Sequence, residues 1–187
     1  MTRLTLAALA KLARTASATD KATLTITTHP QSGDRYACWP YGCTLLPPGL
    51  IEDLMWPADG PYALVKGQLT PCEMKGFSVP FVVERMLPLL DTTPRRRVEP
   101  NGWLHERFPL TLRYLANPEN ADAPELVVAV NDDLWQAWTK HATGPVWHPN
   151  HAFLLWAADD TSRATALLGT IHRTFAPTIP DLPTEAS

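Results

Sequence analysis

The alternation of apolar and polar positions divides the chain into short elements. Residues 3 to 16 set Leu6, Leu9, Leu12, Ala13 and Ala16 on one face of a 3.6-residue period and leave Lys11 and Arg14 for water, which predicts a first helix. Ala22 to Thr28 alternates Leu24 and Ile26 with threonines. The turn residues His29 to Asp34 follow, then a second extended stretch from Arg35 to Trp39, so the pattern predicts a β-hairpin. Pro40, Pro47 and Pro48 mark the next stretch as an edge or irregular segment, because proline cannot donate to a sheet ladder.

Ile51 to Trp56 has room for one or two helical turns before Pro57 and the Asp59-Gly60-Pro61 turn, and Tyr62 to Leu69 reads as a strand with Gly67 at a bulge. Pro80 suits the first turn of a helix running through Phe81, Val82, Met86 and Leu87, which Pro88 kinks or ends. Residues 91 to 102, with Pro94, Pro100 and Gly102 around Arg95, Arg96 and Arg97, read as the clearest interior loop and the most flexible segment.

Leu110 to Leu115 predicts a strand, and 117 to 124 a polar connector. Glu125 to Val130 is a nearly continuous apolar run, of the kind buried on both faces, ahead of an Asn131-Asp132-Asp133 helix cap and a helix through Lys140. The same grammar recurs in Ala152 to Ala157, the polar run Asp159 to Ser162, and a second helix carrying Ala164, Leu167, Leu168, Ile171 and Phe175. The fold expected is therefore α+β. An antiparallel sheet occupies the N-terminal half and a β-α-β-α segment the C-terminal end, around one core. Residues 1 to 175 form the domain and the proline-rich 176 to 187 a flexible tail.

Composition sharpens this picture without choosing a function. A chain of 187 residues can bury one substantial core, and 45% hydrophobic with 19% charged residues argues against long disordered tracts. A net charge of -3 is too close to neutral for an electrostatic nucleic-acid binder. Leu4 to Ala10 loosely imitates a leader, but Lys11 and Arg14 interrupt it, and no window offers the ~18 apolar residues of a membrane span. Three cysteines, Cys38, Cys43 and Cys72, form an odd set that a disulfide scaffold avoids, so the expected setting is cytoplasmic.

Four constellations carry candidate chemistry. If the two apolar strands at 125 to 130 and 152 to 157 are parallel neighbours, Asp132, Asp133, Asp159 and Asp160 converge on one sheet edge able to hold Mg²⁺. The plainer reading is that these are helix caps. His141, His148 and His151 form a second constellation in which His148 and His151 have the spacing to share a loop zinc, with His105 or an Asp as a further ligand, although Pro149 makes a regular helix between them unlikely and a packed surface loop is the commoner outcome. The cysteines lack a tandem C-x2-C signature and read first as buried free thiols. Arg95, Arg96 and Arg97 suit an acidic partner surface, while Trp135, Trp138, Trp147 and Trp156 supply either anchors for binding or a tryptophan-rich core.

No phosphate-binding glycine loop, dinucleotide fingerprint or nucleophile elbow occurs in the chain. The function expected from the sequence is a non-enzymatic module that binds another macromolecule, protein before nucleic acid, as an inhibitor or accessory protein does. Its surface would be Arg95, Arg96, Arg97, Trp135, Trp138 and Trp147, with no cofactor. The alternative is a metal-dependent phosphoester hydrolase holding Mg²⁺ or zinc on the Asp doublets with His148 or His151.

Overall fold

The computed structural model describes residues 4–16, 22–107, 110–118, 128–142, 144–149 and 153–171. The helix α1 (Leu6–Ala16) forms as its spacing predicts, with Leu9, Leu12, Ala13 and Ala16 turned inward. The predicted first hairpin is β1 (Thr23–Thr28) and β2 (Arg35–Trp39), which β3 (Gly42–Leu45) extends across a two-residue turn. The short helix α2 (Pro48–Asp53) then leads to β4 (Gly60–Val65) and β5 (Gln68–Pro71). The sequence put a single bulged strand at Tyr62 to Leu69. The chain instead turns back at Lys66 and Gly67, both at positive φ, which is the backbone a tight hairpin requires.

A helical segment follows, made of α3 (Val79–Phe81), a π-helical turn (Val82–Met86) and a 3-10 turn (Leu87–Asp91). Next come β6 (Arg96–Arg107), β7 (Leu110–Ala116), β8 (Val128–Asn131), α4 (Asp132–Thr139), β9 (Val146–His148), β10 (Phe153–Trp156) and β11 (Ala166–Gly169). The interior loop expected over 91 to 102 is a correction, because β6 begins at Arg96 and is the longest of the described strands. Its Pro100 and Gly102 fall where the register with β7 shifts, a bulge that tolerates a residue without a ladder donor and one at positive φ.

Among the described residues the eleven strands run in the order β5-β4-β1-β2-β3-β11-β10-β9-β6-β7-β8 in one sheet, and every pairing is antiparallel. The mixed α+β class therefore holds. The β-α-β-α segment does not: β8 and β10 are separated by β9, β6 and β7, and Ala166–Gly169 is a strand rather than a helix. A four-residue apolar run does not distinguish the two by its period. Here Ala166 and Leu168 enter one buried layer and Leu167 the other, the alternation of a central strand.

Helical segments cover both faces of the central strands β1, β2, β3, β11 and β10, so both faces are apolar there. On one side α1, α2 and α4 pack Leu9, Leu12, Leu50 and Trp138 against Leu24, Ile26, Trp39 and Trp156. On the other, the 79–91 segment lays Val82, Met86, Leu87 and Leu90 over Tyr36, Cys38, Cys43, Leu155 and Leu167. Gly42 is obligatory where the layers meet, since a Cβ there would lie 2.3 Å from the Leu167 carbonyl oxygen and 2.7 Å from the Trp138 ring. The backbone of Ile171 meets the outer edge of β8 through its N–H to the Ala129 carbonyl at 2.7 Å. Residues 172–187, which include the expected tail and the end of the expected second helix, and residues 119–127, which include most of the connector expected over 117–124 and the first residues of the strand expected over 125–130, lie outside the described residues.

Candidate functional site

The surfaces expected to bind are mostly structural. Arg95 is 7% exposed and its guanidinium closes on three carbonyls, with Nε on Thr92 at 2.6 Å, one terminal nitrogen on Ser162 at 2.6 Å and the other on Leu90 at 2.8 Å. It clamps the 79–91 segment to the loop before β11, and it is not available to a partner. Arg96 is exposed on β6, and Arg97 is paired to Glu99 at 2.7 Å. Trp135 and Trp138 are buried, each packed against a core tryptophan: Trp138 edge-on to Trp39 with ring centres 5.4 Å apart, Trp135 tilted on Trp156 at 5.7 Å. Trp147 is half-buried and its indole N–H donates to the Ala157 carbonyl at 3.2 Å.

The acidic doublets do not converge, because the strands that precede them are not neighbours. Asp132 is buried between the Arg113 guanidinium and Gln136, whose amide donates to it at 2.6 Å. Asn131 is the cap of α4, its side-chain oxygen accepting from Asp133 N at 2.9 Å and Leu134 N at 3.3 Å, with Asp133 exposed. Asp159 spends its carboxylate on Ser162 and Thr161, whose side-chain and backbone donors hold it far below the ordinary carboxylate range. The polar run that reads as a helix cap is thus the turn of the β10–β11 hairpin. Asp160 is exposed beside it.

His148 is half-buried on β9 opposite Arg96, and His151 lies outside the described residues. Among the described residues no three His, Cys, Asp or Glu side chains cluster as metal ligands. No described helix is long and apolar enough to cross a membrane.

Two features escaped the sequence reading. The first is polar and buried: His29, 3% exposed, points Nε2 at Asp91 at 3.5 Å, and Arg163 holds the same carboxylate at 2.8 Å. Burial, more than the neighbouring Arg163, pushes the His29 imidazole below its ordinary range.

The second is apolar and exposed. Pro48 starts α2, Leu50 and Ile51 anchor it in the core, and it ends by donating Met55 N to the Glu52 carbonyl at 2.9 Å and Trp56 N to the Ile51 carbonyl at 3.0 Å. That pair of bonds is a Schellman closure, which wants glycine in the left-handed position. Here Met55 occupies it at φ 56°, and Trp56 is left-handed too at φ 52°. A side chain in that region costs about 1–2 kcal/mol. Met55 is nevertheless 87% exposed and Trp56 64% exposed, the two most exposed large apolar side chains among the described residues.

The loop that carries them is fixed downstream. The Asp59 carboxylate accepts from Thr28 N at 2.9 Å, the Thr28 hydroxyl at 3.0 Å and Arg35 at 3.1 Å, and Tyr62 donates its hydroxyl to the Ala58 carbonyl at 2.9 Å. Exposed Glu52 and Asp53 precede the two apolar residues in the chain. The arrangement is a tethered apolar knob with an acidic stretch leading into it. Leu54 is buried in the core while the Met55 and Trp56 that follow it lie outside both layers, a difference that a Leu-Met-Trp run before a proline does not signal.

In comparisons with known proteins, no family model, no curated sequence and no solved structure matches the chain.

Proposed function

We infer that the chain is a non-enzymatic protein-binding module of the inhibitor or accessory type, and that Met55 and Trp56 are its anchor. The observation that carries this reading is the exposure of a methionine and a tryptophan on a strained, well-tethered backbone. Water gives no reason to hold either there, whereas a partner pocket that buries both recovers roughly 1.5–3 kcal/mol for the methionine alone. Because Ile51 and Asp59 tether the loop on either side, little conformational entropy is lost on docking. The acidic stretch of Glu52 and Asp53 selects a partner whose apolar pocket is rimmed by lysine or arginine.

The test compares the full chain with Met55→Ala/Trp56→Ala and, as a control on the surface first expected, Arg96→Ala/Arg97→Ala. Each is immobilised, exposed to native lysate, and its retained proteins are identified by mass spectrometry. The reading expects one partner held by the wild type and the arginine variant, lost from the knob variant, and weakened by added salt. Retention of the same partner by a correctly folded knob variant overturns the assignment.

A further inference from the structure

Cys38 and Cys43 stand directly opposite each other on β2 and β3. Both are fully buried, on the face covered by the 79–91 segment, in one cluster with Tyr36, Phe77 and Leu167. The Leu46 N–H donates to the Arg35 carbonyl at 2.8 Å, which makes Arg35 and Leu46 a hydrogen-bonded pair of the same ladder. Hydrogen-bonded and open pairs alternate along an antiparallel ladder. Counting from Arg35 through Tyr36 and Ala37, Cys38 and Cys43 are therefore an open pair, the type in which the two backbones approach to about 4.5 Å between Cα atoms. A disulfide spans Cα separations of about 4.4–6.8 Å, so a pair of this type stands within the range the bond requires. Cys72 follows β5, which β4 and β1 separate from β2, well beyond that reach.

We propose that Cys38 and Cys43 are a disulfide-forming pair, a modification site that staples the β2–β3 hairpin when the chain folds in the presence of a small-molecule disulfide of the glutathione type. One thiolate attacks a sulfur of the oxidant, releasing one glutathione and leaving a mixed disulfide on the protein. The second thiolate attacks the protein sulfur of that intermediate and releases the other glutathione. Two protein thiols and one glutathione disulfide thus become one protein disulfide and two glutathione thiols, with both electrons and both protons on the released thiols. Burial, and then the hydrogen bond to Cys43, push the Cys38 thiol well above its ordinary range. The folded reduced pair is consequently slow to react, and the bond forms before the 79–91 segment closes over the hairpin. Whether the pair is joined is thus fixed by the redox state in which the chain folds, and the odd cysteine, Cys72, is left outside it.

The test uses the full chain carrying Cys72→Ser, reduced in guanidinium and refolded by dilution into a mixture of oxidised and reduced glutathione that fully oxidises a control dithiol peptide. The expected result is that the two remaining thiols fall to none on titration in denaturant. The mass should drop by about 2 Da, and a chymotryptic digest that cuts after Tyr41, between the two cysteines, should yield one cross-linked peptide pair. The oxidised chain should regain the far-ultraviolet circular dichroism of the reduced protein and melt at a higher temperature. Two persisting thiols, glutathione adducts alone, or an oxidised chain that does not regain the native spectrum would each overturn the proposal. So would wild-type chain in which Cys72 is bonded to either partner.

Discussion

Arginine side chains close in sequence carry very different energetic weight here. Arg95 donates to three backbone carbonyls while nearly out of water, and its burial lowers its proton affinity, whereas Arg96 next to it faces solvent. Removing Arg95 takes the side-chain donor from the Thr92 and Ser162 carbonyls and one of two donors from the Leu90 carbonyl, which keeps the Ala164 N–H, so Arg95→Ala should cost about 3 kcal/mol of unfolding free energy in urea. Arg95→Lys should recover only part of it, because an ammonium cannot reproduce the planar fork. Arg96→Ala should stay within about 0.5 kcal/mol of wild type. The sequence offered three equivalent cations in a proline-bounded segment; only the packing of that segment against the loop before β11 separates the first from the others.

His29 gives the second prediction at this scale. It is packed among Asp91, Arg163, Asp34 and Tyr36, and burial outweighs the two carboxylates in setting its proton affinity. Its folded value lies below the ordinary 6.5, so at pH values between the two the unfolded chain binds more protons and stability rises with pH. Above 6.5 the neutral imidazole is the stable form in both states; as pH falls through 6.5 toward the lowered folded value, stability is lost. Unfolding free energies measured across that range should slope downward in acid, and His29→Gln should flatten the slope. A slope unchanged in the variant would assign the effect to another group.

At the scale of elements, the chain was most readable where residue pattern, turn residues and caps agree over a short stretch. The helix α1 and the β1–β2 hairpin fall on their predicted residues, as does α4 with its Asn131 cap, because local periodicity and capping chemistry act over a few residues. The strands β11 and β6 were misread for different reasons. Ala166–Gly169 has no amphipathic contrast to report, and its two leucines fit a helix as well as a strand until the sheet places them in different layers. The strand β6 hid behind Pro100 and Gly102, which belong to its bulge.

The end of α2 is the element where local preference is violated, since Met55 sits where glycine is favoured. Met55→Gly removes the side-chain strain while enlarging the freedom of the unfolded chain, so it should stabilise by up to about 1 kcal/mol in chemical unfolding. The same change should weaken partner binding by deleting half the knob. A destabilised Met55→Gly would mean that Met55 is held by packing, and that strain is not stored there.

Across the whole molecule, β11 is the keystone of the strand order. It lies between β3 and β10 and so joins the five N-terminal strands to the five others, although it is the last described element in the chain. Such long-range pairing predicts one cooperative unit. Unfolding followed by tryptophan fluorescence and by far-ultraviolet circular dichroism should give coincident transitions, and Leu167→Asp should abolish both together. Two separated transitions would divide the chain into independent halves.

The sequence alone determined the mixed α+β class, the amphipathic helices, the first hairpin and the absence of common nucleotide-binding or serine-hydrolase signatures. Each of these is written within a few neighbouring residues. Tertiary structure decided which strands are neighbours, and with that every question about a site. Strand order moved the Asp doublets apart, buried Trp135 and Trp138, folded Arg95 into a clamp, set Cys38 against Cys43, and left Met55 and Trp56 outside. A side chain's surroundings come from residues distant in sequence, and a local pattern carries no record of which distant residues those are.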